Sequence, residues 1–348
     1  MQLGRDYLKQ KAKEYLLELL SLYTPSGEEE KALSFFEKVS QELNLNLKFT
    51  PSKSYYLGSE SSKILLVSHI DTVPGFIEPK EENQVIYGRG AIDDKGPLVA
   101  MLLATYILNE KGYNVSFAAL SDEENKSKGA RELVNSGKKY DYIIVGEPSN
   151  TTGIVVEYRG VLHVDIKCKG VSEHSSSASS NLIVDMANRL LQVTKFPKSY
   201  DAPSIIPTIF TAGEYINKSP SSGLIHFDIR YSVKSSKQEI ILNLKDVYKD
   251  CEVAVVEDVP PVKVDINSDL VKVIMRGLIK QGLKPSLVRK YGTSDMNILY
   301  KISNQIVDYG PGNSRLEHTD QERISLEEIF ISINTYVSAI EELCSKKD

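Results

Sequence analysis

The sequence has little cysteine, no long apolar run and no block of like charge, and each shortage removes a class of protein. Cys168, Cys251 and Cys344 are odd in number, far apart and without a C-x-x-C pair. They suggest neither a disulfide framework nor a thiolate metal cage, which favours a reducing cytosol. The longest apolar run, Pro97 to Leu108, is too short to cross a bilayer. Met1 to Leu20 mixes Arg5, Asp6, Lys9, Lys11 and Glu14 with apolar residues at helical spacing, unlike the uncharged core of a signal peptide. With 42 basic against 47 acidic residues the net charge is −5, and the basic residues are scattered. That argues against nucleic acid as main partner and for a small polar ligand. What remains is a globular composition, 41% hydrophobic and 26% charged over 348 residues, long enough for two domains or one large α/β unit with an insertion. There is no internal repeat and no low-complexity tract.

Residues up to about 150 alternate helix-like and strand-like segments, the pattern of an α/β fold on a mainly parallel sheet. Ser26 with Glu29, ahead of Ala32 to Leu43, reads as a capping box, and Ser325 with Glu328 repeats it before the last helix. Pro97 opens a helix that Gly112 ends. Short apolar runs predict buried strands at Ile64 to Val67, Val115 to Leu120, Tyr142 to Val145 and Gln305 to Val307. The middle third reads as strand (Val161 to Cys168), helix (Asn181 to Val193), strand (Ser204 to Ala212), strand (Gly223 to Ser232), helix (Ser235 to Tyr248) and strand (Cys251 to Glu257). This β-α-β-β-α-β order is ferredoxin-like and could stand as a separate domain. The expected division is therefore 160–261 inserted between 1–159 and 262–348. Leu270 to Gln281, closed by Gly282, returns to a helical pattern.

Ligands of open α/β sheets bind beyond the carboxyl ends of the strands, so the residues after each apolar run matter most. Ile64 to Val67 leads into Ser68-His69-Ile70-Asp71, Val115 to Leu120 into Ser121-Asp122-Glu123-Glu124, and Tyr142 to Val145 into Gly146-Glu147-Pro148. Asp93-Asp94 precedes the Pro97 helix, and His318 follows a turn-rich stretch beginning at Gly310. Gathering His69, Asp71, Asp93, Glu123, Glu124 and Glu147 would place about five negative charges in one cleft, which two divalent cations would nearly cancel. Imidazole and carboxylate without thiolate suit Zn²⁺, Co²⁺ or Mn²⁺. Each motif alone is ordinary turn chemistry; the ordered set is the signal. His163 falls on the mixed face of its strand and reads as solvated. His226 shares a face with Asp228 and Arg230, as a neighbour of a carboxylate site or a surface residue. Arg89 and Lys95, flanking the acid pair, read as structural partners.

Taken with Glu173-His174-Ser175-Ser176, Gly292-Thr293-Ser294-Asp295 and His318-Thr319, these motifs resemble the M20 family of zinc-dependent amidohydrolases and peptidases over nearly the whole chain. The resemblance implies a zinc-peptidase-like α/β catalytic domain with an inserted ferredoxin-like lid that dimerises. It implies that His69 and Glu147 bind one metal, that Glu124 and His318 bind the other, and that Asp93 bridges them, with Asp94 as the rival. Asp71 would orient His69, and Glu123 would be the general base. His174 would polarise the scissile carbonyl from the neighbouring subunit, although Glu173 stands where many relatives have Gly. Asn217 and Arg230 would hold a substrate carboxylate, and Gly292, Thr293 and Ser294 would complete the pocket.

Further segments, Tyr23 to Glu29, Ser127 to Arg131 and Tyr309 to Thr319, look most like one branch of this family. Its members release lysine or ornithine from the C-terminal glutamate of a small acidic amino-group carrier protein, in lysine and arginine biosynthesis in the cytoplasm. The expectation is thus a homodimeric enzyme with two divalent ions per subunit, Zn²⁺ or Co²⁺, and no nucleic-acid or membrane partner. The alternatives are a small-molecule deacylase of the acetylornithine or succinyl-diaminopimelate type and a plain exopeptidase.

Overall fold

A computed structural model describes residues 4–303 and 305–345; the outermost positions of the expected domain bounds lie outside them. The chain divides into two compact units, one of Met1–Val156, Val264–Arg289 and Ser294–Asp348, the other of Glu157–Lys263 and Lys290–Thr293. No described helix is long and apolar enough to cross a membrane.

The first unit is built on a mixed sheet whose centre is parallel. Strand Ile64–His69 lies between Val115–Leu120 and Tyr142–Val145, and Ile306–Asp308 follows, all in one direction. The short strands Leu47–Phe49 and Tyr55–Leu57 extend one side antiparallel, and Gly153–Tyr158 extends the other. Val115–Leu120 is buried at every position, as a strand covered on both faces must be, which is why its sequence is a continuous apolar run. Helix Lys95–Glu110 packs against this sheet and is apolar almost all round, with buried residues from Lys95 to Leu108. Pro97 sits in its first turn, where a missing N–H costs nothing, and Gly112 ends it with φ +88°.

The two expected capping boxes part ways. Before helix Leu326–Ser345, Ser325 and Glu328 exchange the reciprocal bonds: the Glu328 amide donates to Ser325 Oγ at 3.2 Å, and the Ser325 amide donates to Glu328 Oε2 at 3.0 Å. Before helix Leu33–Glu42 there is no such box. Residues Glu29–Ala32 form a 3₁₀ turn, Ser26 donates to Asp71 Oδ2 at 2.6 Å, and Glu29 accepts from the Asp122 amide at 3.1 Å. Both side chains thus reach distant segments, while Glu29 keeps one local bond from the Gly27 amide at 2.9 Å.

The second unit carries Gly160–Lys169, helix Leu182–Val193, Ser204–Ala212, Ser222–Tyr231, helix Lys237–Val247 and Glu252–Val259 in that order. Its four strands are all antiparallel, with Gly160–Lys169 and Ser222–Tyr231 central. This is the ferredoxin-like arrangement. One sheet face, with Leu162, Val164, Ile166, Phe227 and Ile229, is packed under the two helices through Met186 and Leu244. Each such side chain contributes roughly 1.5–3 kcal/mol. Asn181 and Ser236 cap the helices with their side chains.

The cysteine reading needs correction. Cys168 and Cys251 form a disulfide with Cα atoms 4.5 Å apart. The antiparallel register that pairs Lys167 with Glu252 sets the two cysteines opposite each other. An 83-residue separation along the chain hides a pairing that sheet topology creates, and the argument from unpaired cysteines to a reducing compartment falls with it.

Candidate active site

Parallel register explains why the strand-end residues meet. His69 stands beside Leu120, and Val67 beside Val145, so the loops carrying Asp71, Glu123 and Glu147 leave the sheet from one edge at strand spacings of about 4.8 Å. The loop ahead of helix Lys95–Glu110 delivers Asp93 to the same place. His318, with φ +61°, arrives from the loop after the short 3₁₀ turn Ser314–Leu316.

Asp93 lies between the two histidines. Its Oδ1 is 3.0 Å from His69 Nε2 and its Oδ2 is 3.0 Å from His318 Nε2. His318 Nε2 is also 3.0 Å from Glu124 Oε1, and His69 Nε2 is 3.9 Å from Glu147 Oε1. Asp94 turns elsewhere: its Oδ2 accepts from Ser68 Oγ at 2.5 Å and from the His69 amide at 3.3 Å. The peptide joining the two aspartates is cis. Among the described residues, ligand atoms of His69, Glu123 and Glu147 lie within 4.8 Å of one another, as do those of His69, Asp93 and Glu124. Hard oxygen and imidazole donors at these separations fit divalent cations.

Asp71 is fully buried and ties three parts together. The His69 ring donates through Nδ1 to the Asp71 carbonyl at 2.9 Å, with the carboxylate 3.5 Å away. The carboxylate accepts from the amides of Glu123 and Glu124 at 3.1 and 3.2 Å. A single acid thus fixes the imidazole tautomer and the turn that presents both glutamates. Ser26 and Glu29 belong to this support, though the sequence presented them as a helix cap; only their nearness to Asp71 and Asp122 reveals it. Gly310 has a comparable reason: a Cβ there would meet the Glu147 carbonyl oxygen at 2.6 Å.

The electrostatics follow from crowding. Burial opposes the charge on Asp93, yet His318 and His69 hold its carboxyl well below the usual range. Burial, with Glu147 beside it, pushes Glu123 well up, and burial also raises Asp94 and Glu124. Hydrogen bonds to Asp93 and Glu124 raise His318 to about 10. The cluster therefore holds protons that a dication would displace.

The other expected residues are distributed as follows. His174, Asn217, Arg230, Gly292 and Thr293 belong to the second unit, and Ser294 to the first. His174 is exposed, its Nδ1 2.7 Å from Ser176 Oγ, and the Ser175 amide donates to the Asn217 carbonyl at 3.0 Å, so these two loops are neighbours. Arg230 directs its fork to Asp228 at 2.7 and 2.9 Å. Gly292 is exposed with open space around it, whereas Ser294 is buried, its amide donating to Asn297 Oδ1 at 3.0 Å. His163 is half-buried rather than solvated, its Nδ1 2.8 Å from Glu257, and His226 Nδ1 is 2.6 Å from Asp165. Buried Lys95 donates to the carbonyls of Leu19 and Leu22 at 2.9 and 2.8 Å.

Comparison with known proteins places the chain among relatives of like sequence and fold. A [LysW]-lysine/[LysW]-ornithine hydrolase of Sulfurisphaera tokodaii is 63% identical over 347 residues, covering 100% of both chains. One of the same description from Saccharolobus solfataricus is 54% identical over 343 residues, covering 98% of this chain and 99% of that one. In fold, an aminopeptidase of Bacillus cereus superposes with a TM-score of 0.84 at 20% identity, covering 97% of this chain and 99% of that one. A tripeptidase of Staphylococcus aureus gives 0.85 at 21% identity over the same shares. Residues 65–342 match peptidase family M20/M25/M40, and the chain belongs to that family.

Proposed function

We propose that the protein hydrolyses the amide bond joining lysine or ornithine to the C-terminal glutamate of a LysW-type amino-group carrier protein, a step of lysine and arginine biosynthesis. The observation that carries this reading is the 63% identity, end to end, with a [LysW]-lysine/[LysW]-ornithine hydrolase. The intact cluster of acids and imidazoles supports it, since a binding protein of this fold has no need of one.

In this reading His69 and Glu147 would hold one divalent ion, Glu124 and His318 would hold the other, and Asp93 would be shared between them. The ions, when bound, polarise the amide carbonyl and acidify the attacking water. Zn²⁺ suits the donors best, with Co²⁺ as substitute. Glu123, whose affinity for a proton is raised by burial and by Glu147, takes the proton of the attacking water and delivers it to the leaving amine. Asp71 keeps His69 and the Glu123 turn in register through the contacts described above. The substrate carboxylate is assigned to Arg230 and Asn217, for which Arg230 must exchange its present partner Asp228. His174 is assigned to the developing oxyanion across a homodimer, with residues 160–261 acting as lid, and Gly292, Thr293 and Ser294 to the pocket wall. The enzyme is assigned to the cytoplasm, where such a carrier would be charged.

The test is to incubate the metal-loaded enzyme with carrier-linked lysine and to follow free lysine. Release supports the reading. No release, alongside rapid cleavage of acetylornithine, succinyl-diaminopimelate or plain dipeptides, transfers the protein to one of those activities.

A further inference from the structure

Four residues beyond His318 stands Glu322, a residue with no role in the reaction as described. It is 1% exposed and immediately precedes strand Arg323–Ser325, which pairs with Val85–Tyr87. Its Oε1 accepts hydrogen bonds from the backbone amides of Gly90, Ile92 and Asp93, each at 3.0 Å. Its Oε2 accepts from Arg89 Nη1 at 3.0 Å. The same Arg89 nitrogen donates to the carbonyl of Thr319 at 3.1 Å, and Arg89 Nε donates to that of Gly75 at 2.9 Å.

This placement is costly on electrostatic grounds alone. A buried carboxylate must be desolvated, and here it lies near the charge of Asp93, which opposes its ionisation. Four donors on one carboxylate offset that cost and, in return, impose direction. Three converge on a single oxygen from the loop that ends in Asp93, so the Asp93 backbone has little freedom to turn. The loop cannot easily readjust around it: Gly90 has φ +91°, and a Cβ there would meet Thr72 at 2.8 Å. Through Arg89 the carboxylate is also linked to Thr319, the neighbour of His318. Asp93 and His318 meet at 3.0 Å in the cluster, and one ion pair reaches the Asp93 amide through Glu322 and the Thr319 carbonyl, one residue past His318, through Arg89.

We infer that Glu322, clamped by Arg89, is a positioning residue that aims the Asp93 carboxylate at both histidines and thereby sets the affinity of the site for its two divalent ions. The inference rests on the two-metal reading above. It concerns the backbone support of Asp93 and adds no ligand.

The test compares wild type with Glu322→Gln, Glu322→Ala and Arg89→Gln. Glu342→Gln serves as a control, since Glu342 is an acid paired with Arg276 and Lys280 and bonded to none of the cluster residues or their loops. Metal-free proteins are titrated with Co²⁺ and Zn²⁺ against a competing chelator, with the visible absorption of bound Co²⁺ recorded and Tm measured in parallel. Glu322→Gln keeps an acceptor for the three amides but presents an amide to Arg89, so it folds. It should bind metal roughly 10–100-fold more weakly, with an altered Co²⁺ spectrum, and Arg89→Gln should follow it. Glu322→Ala should lose more, and Glu342→Gln should bind as wild type does. If the Glu322 variants lower Tm while affinity and spectrum stay at wild-type values, Glu322 is a structural staple and the inference fails. Should Glu322→Ala not fold, Glu322→Gln and Arg89→Gln decide. A wild type that takes up two ions isolates that failure to Glu322, whereas one that takes up none overturns the metal reading as well.

Discussion

Each of the two units holds a cluster of histidines and acids, and their fates differ. In the first unit His69 and His318 face Asp71, Asp93, Asp94, Glu123, Glu124 and Glu147, so acids outnumber bases by six to two. Ligand atoms from four loops converge there, and two imidazoles stand against six carboxyl groups. In the second unit His163, His226 and Arg230 meet Asp165, Asp228 and Glu257, three against three. The two rings lie 5.3 Å apart, but each histidine already has an acidic partner on an adjacent strand, and Arg230 has Asp228 on its own strand. The same residue types therefore make a candidate metal centre in one place and a balanced sheet face in the other. Convergence and charge imbalance separate them; residue identity does not.

The sharpest way to break this contrast is to remove a ligand and a base separately. His69→Ala should abolish metal binding and with it activity, while Glu123→Ala should retain metal and lose on the order of 10²–10⁴-fold in kcat. Metal content measured beside single-turnover rates checks both, and a His226→Ala protein that lost metal equally would erase the distinction. A large effect on stability alone should come from the core of the second unit. Phe227 is fully buried, so Phe227→Ala should cost about 3–5 kcal/mol in denaturant unfolding while metal stoichiometry of the folded protein is unchanged.

A smaller effect concerns protons. Hydrogen bonds to Asp93 and Glu124 raise His318 to about 10, which favours its protonated form near pH 7, and an imidazole must be neutral to coordinate. Metal uptake near neutrality should therefore release protons, and affinity should rise with pH until that group is neutral without help. Titration of Zn²⁺ in two buffers of different ionisation enthalpy reads the proton count, and a count of zero would contradict the coupling. The smallest effect is expected from His226→Ala, whose pair with Asp165 is partly exposed; its loss should change stability by roughly 0–1 kcal/mol.

Much of this was legible in sequence because it depends on local pattern. Continuous apolar runs marked the buried parallel strands, alternation marked the sheet of the second unit, and the acids and imidazoles after each run marked the edge where ligands gather. The exceptions are all non-local. Ser26 and Glu29 have the spacing of a cap, yet Asp71 and the Asp122 amide claim them. His163 sits on a polar strand face, yet Glu257 on the neighbouring strand pairs with it.

Residue order alone determined the α/β class, the ferredoxin-like insertion and the kinds of atom available to a divalent ion, since periodicity and side-chain chemistry are written locally. Only the tertiary structure decided that Cys168 pairs with Cys251, that Asp93 rather than Asp94 stands between the imidazoles, and that Glu322 grips the backbone of Asp93. Those outcomes depend on which distant segments sheet register and helix packing bring within 3 Å or so of each other, a hydrogen-bond distance that no spacing along the chain encodes.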